Sequence, residues 1–66
     1  MSRVYRMTET ELRALLQRVG AVRRREHERS PREFLYWSDP TSSWYAVARD
    51  QQGLRVTVQE GCGSCS

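Results

Sequence analysis

The chain has no lysine, a single histidine, two prolines and only two cysteines in 66 residues. It also has no apolar run near the roughly 18–20 residues that a membrane-spanning helix needs, and no apolar segment of the signal-peptide kind at its start. These absences argue against a membrane-embedded or exported protein. We therefore expect a soluble protein of the cytoplasm.

Motifs that carry catalysis are absent as well. His27 is the only histidine, and no motif sets a serine or cysteine beside it, so no nucleophilic triad can be assembled. There is no glycine-rich phosphate loop and no pair of acids suited to glycoside hydrolysis. A chain this short buries only about 60% of its unfolded surface, which allows one thin core and no deep cleft. We expect no enzymatic activity and no cofactor.

Because lysine is missing, all eleven basic residues are arginine, and the net charge is +3. Arginine offers a planar fork of donors that suits phosphates and carboxylates. A GC-rich genome would give the same bias without any functional cause. The charge is uneven, since residues 1–33 hold nine arginines against five glutamates, whereas residues 34–66 hold two arginines against three acids. Charged partners are therefore expected at the first half.

The cysteines, Cys62 and Cys65, stand together in a tail rich in glycine and serine. We divide the chain into one small domain over residues 1–60 and a flexible tail over residues 61–66. The Cys-x-x-Cys spacing suits half of a zinc site, which two chains could complete with four thiolates, so these two residues are the candidate metal ligands. Two free thiols in a reducing compartment are the simpler interpretation.

The clearest local pattern predicts a helix over residues 9–19. Thr8 and Glu11 have the spacing of a capping box, and Gly20 follows as a left-handed C-terminal cap. The apolar side chains recur with the period of one helical face, at Leu12, Leu15, Leu16 and Val19. This stripe has to be buried against the rest of the chain.

Three stretches of high strand propensity follow, over residues 34–37, 44–49 and 54–59. The last alternates strictly between apolar and polar side chains, as a strand with one buried face does. The sequence Asp50-Gln51-Gln52-Gly53 suits a tight turn between the second and third stretches. We predict an α+β fold, with one amphipathic helix packed on a three-stranded antiparallel β-meander. Val4 and Tyr5 are compatible with an extra N-terminal strand.

The connection between helix and meander has the least regular pattern. Ser30, Pro31 and Glu33 would suit a short helix start, but the β-prone residues from Phe34 onward favour a strand. No apolar side chain occurs from residue 23 to residue 29. We therefore expect this segment to be mobile unless a partner orders it.

The helix has to pack on one face of the sheet. We expect that face to consist of Leu35, Trp37, Trp44, Ala46, Leu54, Val56 and Val58. The outward face would then carry Tyr36, Tyr45, Val47, Arg49, Arg55 and Thr57. Interleaved aromatic and cationic groups on an exposed sheet are typical of single-stranded nucleic-acid binding. Alternatively, the N-terminal residues or a second copy of the chain would cover such a face.

The second candidate site is the arginine-rich segment. Glu26 and Glu28 offset part of the charge of five arginines within ten residues, namely Arg23, Arg24, Arg25, Arg29 and Arg32. Arginine clusters bind nucleic-acid phosphates or acidic protein surfaces. A solvated charged loop would have the same composition.

We predict a small non-enzymatic binding module, a monomer or homodimer, that acts stoichiometrically on a larger protein or protein–nucleic-acid machine. The predicted contacts are Arg23, Arg24, Arg25, Arg29, Arg32, Tyr36, Tyr45, Arg49 and Arg55. Free-standing inhibitors encoded by phages, anti-CRISPR proteins among them, have this size and lack catalytic motifs, so we expect a regulator or inhibitor. One alternative is direct DNA or RNA binding through the same residues. The other is a zinc-linked dimer through Cys62 and Cys65.

Overall fold

In the computed structural model, which describes residues 2–61, five antiparallel strands form one sheet and a helix packs on one face. The elements in chain order are β1 (Ser2–Met7), α1 (Glu9–Val19), β2 (Ala21–Arg23), β3 (Glu33–Ser38), β4 (Ser43–Asp50) and β5 (Gly53–Glu60). A short 3-10 turn, Arg25–His27, lies between β2 and β3. The α+β class is confirmed. The three-stranded meander is wrong, because β1 and β2 extend the sheet to five strands.

The strand order is β1-β5-β4-β3-β2, so the first two strands of the chain occupy opposite edges of the sheet. β1 pairs with β5, with Ser2 opposite Gln59, and β2 pairs with β3, with Ala21 opposite Ser38. The helix is therefore a crossover that carries the chain from one edge to the other. This path holds α1 against a single face of the sheet.

The helix has the bounds that the sequence predicts. The Thr8 hydroxyl accepts a hydrogen bond from the main-chain N–H of Glu11 at 3.2 Å, and the Glu11 carboxylate accepts one from the N–H of Thr8 at 2.9 Å. Gly20 ends the helix with a φ of 64°, where its N–H donates to the carbonyl of Gln17. No helix within residues 2–61 has the length and apolarity to cross a membrane.

The core lies between α1 and the centre of the sheet. Among the described residues its buried apolar side chains are Leu12, Tyr45, Val47 and Val56. Val47 lies directly opposite Val56, and Tyr45 opposite Val58, so these side chains share the helix-facing side. The predicted facing of β5 is confirmed, but that of β3 and β4 is wrong. Their helix-facing side chains include Tyr36, Tyr45 and Val47, while the alternate positions face outward: Leu35, Trp37, Trp44 and Ala46.

A buried serine ties the end of α1 to the sheet. Ser38 has no accessible surface, and its hydroxyl donates to the carbonyl of Val19, the last helical residue, at 2.6 Å. The same oxygen lies 2.8 Å from the Thr41 hydroxyl and accepts from the Thr41 N–H at 3.3 Å. The crossover and the β3–β4 turn therefore meet at one side chain.

Candidate binding surfaces

The connection between β2 and β3 is fastened by one carboxylate. Glu28 accepts two hydrogen bonds from the Arg23 guanidinium, at 2.9 and 3.1 Å, and a third from the main-chain N–H of Leu35 at 3.0 Å. The Arg23 hydrogen bonds, followed by the Leu35 N–H, hold the pKa of Glu28 below its ordinary value, and the same ion pair raises the pKa of Arg23. The expected mobility of this segment stays a prediction. The structure places a salt bridge and a main-chain hydrogen bond where apolar side chains are missing.

The same ion pair fixes an arginine over an exposed aromatic ring. The guanidinium carbon of Arg23 lies 4.4 Å from the ring centroid of Phe34, a cation–π geometry. Phe34 begins the helix-facing side of β3, yet it lies beyond the cover of α1 and remains 39% exposed. Because Glu28 holds Arg23 from the other side, the stacked pair is preorganised.

Two further arginines lie beside this ring. The β3–β4 register ends with Glu33 opposite Ala48, and Arg32 and Arg49 are the next residues, one in the turn before β3 and the other on β4. Arg32 and Arg49 line a shallow depression together with Phe34. Within residues 2–61, neither arginine has an acidic partner within 4.0 Å. Like charges that line one depression repel each other, so an anion between them would be stabilising. We refer to Arg23, Arg32, Phe34 and Arg49 as the basic corner.

The other face of the sheet carries no helix and no second sheet within the described residues, and only the 3-10 turn lies over part of it, so its central side chains are half-buried. We refer to it as the open face. Its apolar part comprises Val4, Val22, Leu35, Trp37, Trp44 and Ala46. The indole rings of Trp37 and Trp44 lie 4.7 Å apart between centroids, and the His27 ring meets the Trp44 edge at 5.4 Å. Val4 and Val22, on the two edge strands, are 59% and 62% exposed. Apolar surface therefore extends across the sheet.

One end of the open face is charged. The Arg6 guanidinium lies 2.7 Å from the Asp50 carboxylate, and Arg55 lies opposite Arg6 on β5. The pKa of Asp50 is lowered mainly by the N–H of Gln52 and further by Arg6. Glu33 adds a second acid from β3. This end of the open face thus carries two bases and two acids.

The structure gathers only part of the predicted site. Arg23, Arg32 and Arg49 converge at the basic corner, with Tyr36 half-buried behind them. Tyr45 is 6% exposed and belongs to the core, and Arg55 is on the open face. Of the remaining predicted contacts, Arg24, Arg25 and Arg29 lie along the β2–β3 connection. Arg24 is 3.7 Å from Glu26.

Sequence reasoning missed the residues that define both surfaces, namely Phe34 at the basic corner and Trp37 with Trp44 on the open face. β3 and β4 are apolar at both alternating positions, so their pattern does not select a buried side. A usable signal was present in the predicted Asp50–Gly53 turn. A two-residue loop there sets Val47 opposite Val56, and the unambiguous alternation of β5 then determines the side of β4.

No cluster of three or more potential metal ligands occurs among residues 2–61. Cys62 and Cys65, the predicted zinc ligands, lie outside the described residues, as does the tail beyond Gly61. Comparisons of this chain with protein-family models, curated proteins and solved structures gave no significant match.

Proposed function

We propose that this chain is a non-enzymatic binding module whose ligand is single-stranded nucleic acid, held at the basic corner. The sequence alone favoured a protein partner, and direct nucleic-acid binding was the alternative. The observation that carries the present proposal is the exposed Phe34 ring, with Arg23 fixed over it and Arg32 and Arg49 lining the same depression. The predicted role as an inhibitor, drawn from size alone, stays a prediction.

The geometry supplies the two interactions that a nucleotide needs. A nucleobase stacks on an exposed aromatic side chain with about 1–3 kcal/mol per base. The phosphate of the nucleotide supplies the acidic partner that Arg32 and Arg49 do not have within residues 2–61. Arginine binds phosphate with directed hydrogen bonds. Arg23 is already paired with Glu28, so its part is to hold the ring.

Single strands fit this surface better than duplexes do. Only an unstacked base can reach the face of Phe34, because bases in a duplex are covered by their neighbours. An acidic protein segment would also engage Arg32 and Arg49, but it would not by itself account for an exposed aromatic ring between three guanidinium groups. These features favour nucleic acid over an acidic protein.

The test is fluorescence-anisotropy titration of a labelled 10-nucleotide single strand, as DNA and as RNA, at several salt concentrations. We expect binding that weakens with salt. Phe34→Leu, which keeps an apolar side chain without a stacking face, should weaken binding about tenfold, within the range of one lost base stack. The double variant Arg32→Gln/Arg49→Gln should reduce the slope of log K against log salt by about 1.4, since each single-strand phosphate contact contributes about 0.7.

Arg55→Gln is the matched control, because it removes one positive charge from the opposite face of the sheet. It should bind as the unchanged chain does at nanomolar protein. Absence of binding at low salt would refute the proposal. Equal binding of polyglutamate, unaffected by Phe34→Leu, would instead indicate an acidic protein as partner.

A further inference from the structure

We infer that the open face is the interface of a symmetric homodimer, in which two sheets pack face to face about a twofold axis that runs along β4. Both tryptophans of the chain lie on this face, whereas only four apolar side chains are buried in the described monomer. A domain of this size commonly completes its core by association. The inference does not depend on the nucleic-acid proposal, because the two surfaces are on opposite sides of the sheet.

The charges on the open face are arranged for a second copy of the same chain. Glu33 and Arg55 lie on either side of Ala48, on β3 and β5, in the same cross-strand row. Their main chains are two strand spacings apart, about 9.6 Å, with β4 between them. Neither has an ion-pair partner within 4.0 Å among residues 2–61. Rotation by 180° about β4 exchanges the two sides and brings Glu33 of each copy against Arg55 of the other.

The relief of the face follows the same symmetry. On the β2–β3 side, the 3-10 turn rises above the sheet and His27 contacts Trp44. On the β1–β5 side, the outward residues include the small side chains Ser2 and Thr57. The rotation lays the raised side of one copy over the low side of the other. Ala46, near the axis, allows the two sheets to approach at about 10 Å.

The composition of the face disfavours other occupants. Its charged end holds Arg6 and Arg55 against Glu33 and Asp50, so it has no net charge to attract nucleic acid or an anionic lipid surface. The five strands span about 19 Å across the sheet. Along the strands, the outward side chains form three cross-strand rows, through Trp44, Ala46 and Ala48, that extend about as far. The projected area is therefore on the order of 400 Å². Interfaces of this modest size form weak dimers, so association should depend on concentration.

The experiment is sedimentation equilibrium of the full chain from about 5 µM to 500 µM, a range chosen for weak interfaces. Reductant and EDTA are present, so that disulfides or zinc at the cysteines cannot link the chains. We expect a reversible monomer–dimer equilibrium. Glu33→Arg and Arg55→Glu should each weaken the dimer at least about tenfold, because each creates two like-charge contacts across the axis.

The two variants control for each other. An equimolar mixture should form heterodimers, since the arginine introduced in one variant then faces the glutamate introduced in the other. The double swap Glu33→Arg/Arg55→Glu should restore the homodimer. Far-UV circular dichroism verifies that each variant is folded. Tryptophan emission should shift to the blue as concentration rises, because Trp44 becomes covered. A chain that stays monomeric at about 500 µM, the top of the range for weak interfaces, or a dimer that neither charge reversal weakens, would overturn the inference.

Discussion

The Glu28 carboxylate accepts a hydrogen bond from the main-chain N–H of Leu35 at 3.0 Å. β2 is only three residues long and leaves this part of the β3 edge without a strand partner. A side chain therefore satisfies a backbone donor that would otherwise face solvent. Since the same carboxylate holds Arg23 over Phe34, the stability of the sheet edge is linked to the shape of the basic corner.

Glu28→Gln should reduce the free energy of unfolding at neutral pH, because the charged acceptor of three hydrogen bonds is lost. The pKa of Glu28 is lowered in the folded state, so its stabilising contribution is complete above the ordinary glutamate pKa of about 4.3. It declines as the pH falls through the lower folded value. Urea unfolding from about pH 7 to about pH 2.5 should give a difference between the original chain and Glu28→Gln that shrinks only below about pH 4.3.

Glu26→Gln is the control, since Glu26 is exposed and its ion pair with Arg24 is long, at 3.7 Å. It should leave the pH profile unchanged. The lowered pKa of Asp50 cancels in the comparison, because Asp50 is present in both proteins. A difference that grows toward acid pH would contradict the role given to Glu28.

Ser38→Ala should destabilise the fold by about 1–3 kcal/mol, because it removes the buried hydroxyl that bonds the carbonyl of Val19 and the N–H of Thr41, both in part-buried hydrogen bonds. Ser43→Ala is the matched variant, since Ser43 is also buried but donates one hydrogen bond, to the carbonyl of Thr41. Denaturant unfolding should give a lower free energy of unfolding for Ser38→Ala than for Ser43→Ala. Equal losses would mean that the Ser38 hydroxyl has no special part.

Leu12→Ala should cost about 2–5 kcal/mol, because Leu12 is the one buried residue of α1. A domain of this size has little stability to lose, so much of the variant should be unfolded at about 25 °C. Gln17→Ala, on the exposed side of the same helix, should be neutral or slightly stabilising. Thermal melts followed by circular dichroism separate the two outcomes, and a folded Leu12→Ala would show that α1 is not held by this side chain.

Gly61→Ala should disturb the Trp37 environment. A Cβ built on Gly61 would lie 2.5 Å from the Trp37 ring and 2.7 Å from the carbonyl oxygen of Ser42, so the strand end has to move. We expect a changed tryptophan emission spectrum and a lower melting temperature. Gln51→Ala, in the exposed β4–β5 turn and away from both tryptophans, serves as the control. An unchanged spectrum would indicate that Gly61 does not pack on Trp37.

Local signals predicted the parts of the fold that local energetics decide. The capping box of Thr8, the left-handed Gly20 and the β5 alternation act within a few residues, and the structure has the helix and this strand where they were expected. The extra N-terminal strand that Val4 and Tyr5 allowed is present as β1, but its length and its partner strand had no local signal. β2 had none at all. β2 is three residues long and includes Arg23, whose place in the sheet depends on a salt bridge with Glu28, and such a contact cannot be derived from propensity.

The binding surfaces were harder to predict because each joins residues that are distant in the sequence. Arg32 and Arg49 meet only through the β3–β4 register, and Arg23 reaches Phe34 only because β2 pairs with β3. The predicted contacts therefore included three members of the basic corner, Arg23, Arg32 and Arg49, but not its geometry. The side of the sheet on which Trp44 lies is set by the β4–β5 register, and the Asp50–Gly53 turn could have predicted that register.

The pairing of β1 with β5 has a consequence for synthesis on the ribosome. Ser2 lies opposite Gln59, so the first strand has no neighbour until the last one has been translated. The β3–β4 and β4–β5 hairpins have local contacts and can form as they emerge. The leucines of α1 stay exposed until the sheet on which they pack has been synthesised. We expect a nascent chain stalled before residue 53 to bind chaperones through those leucines.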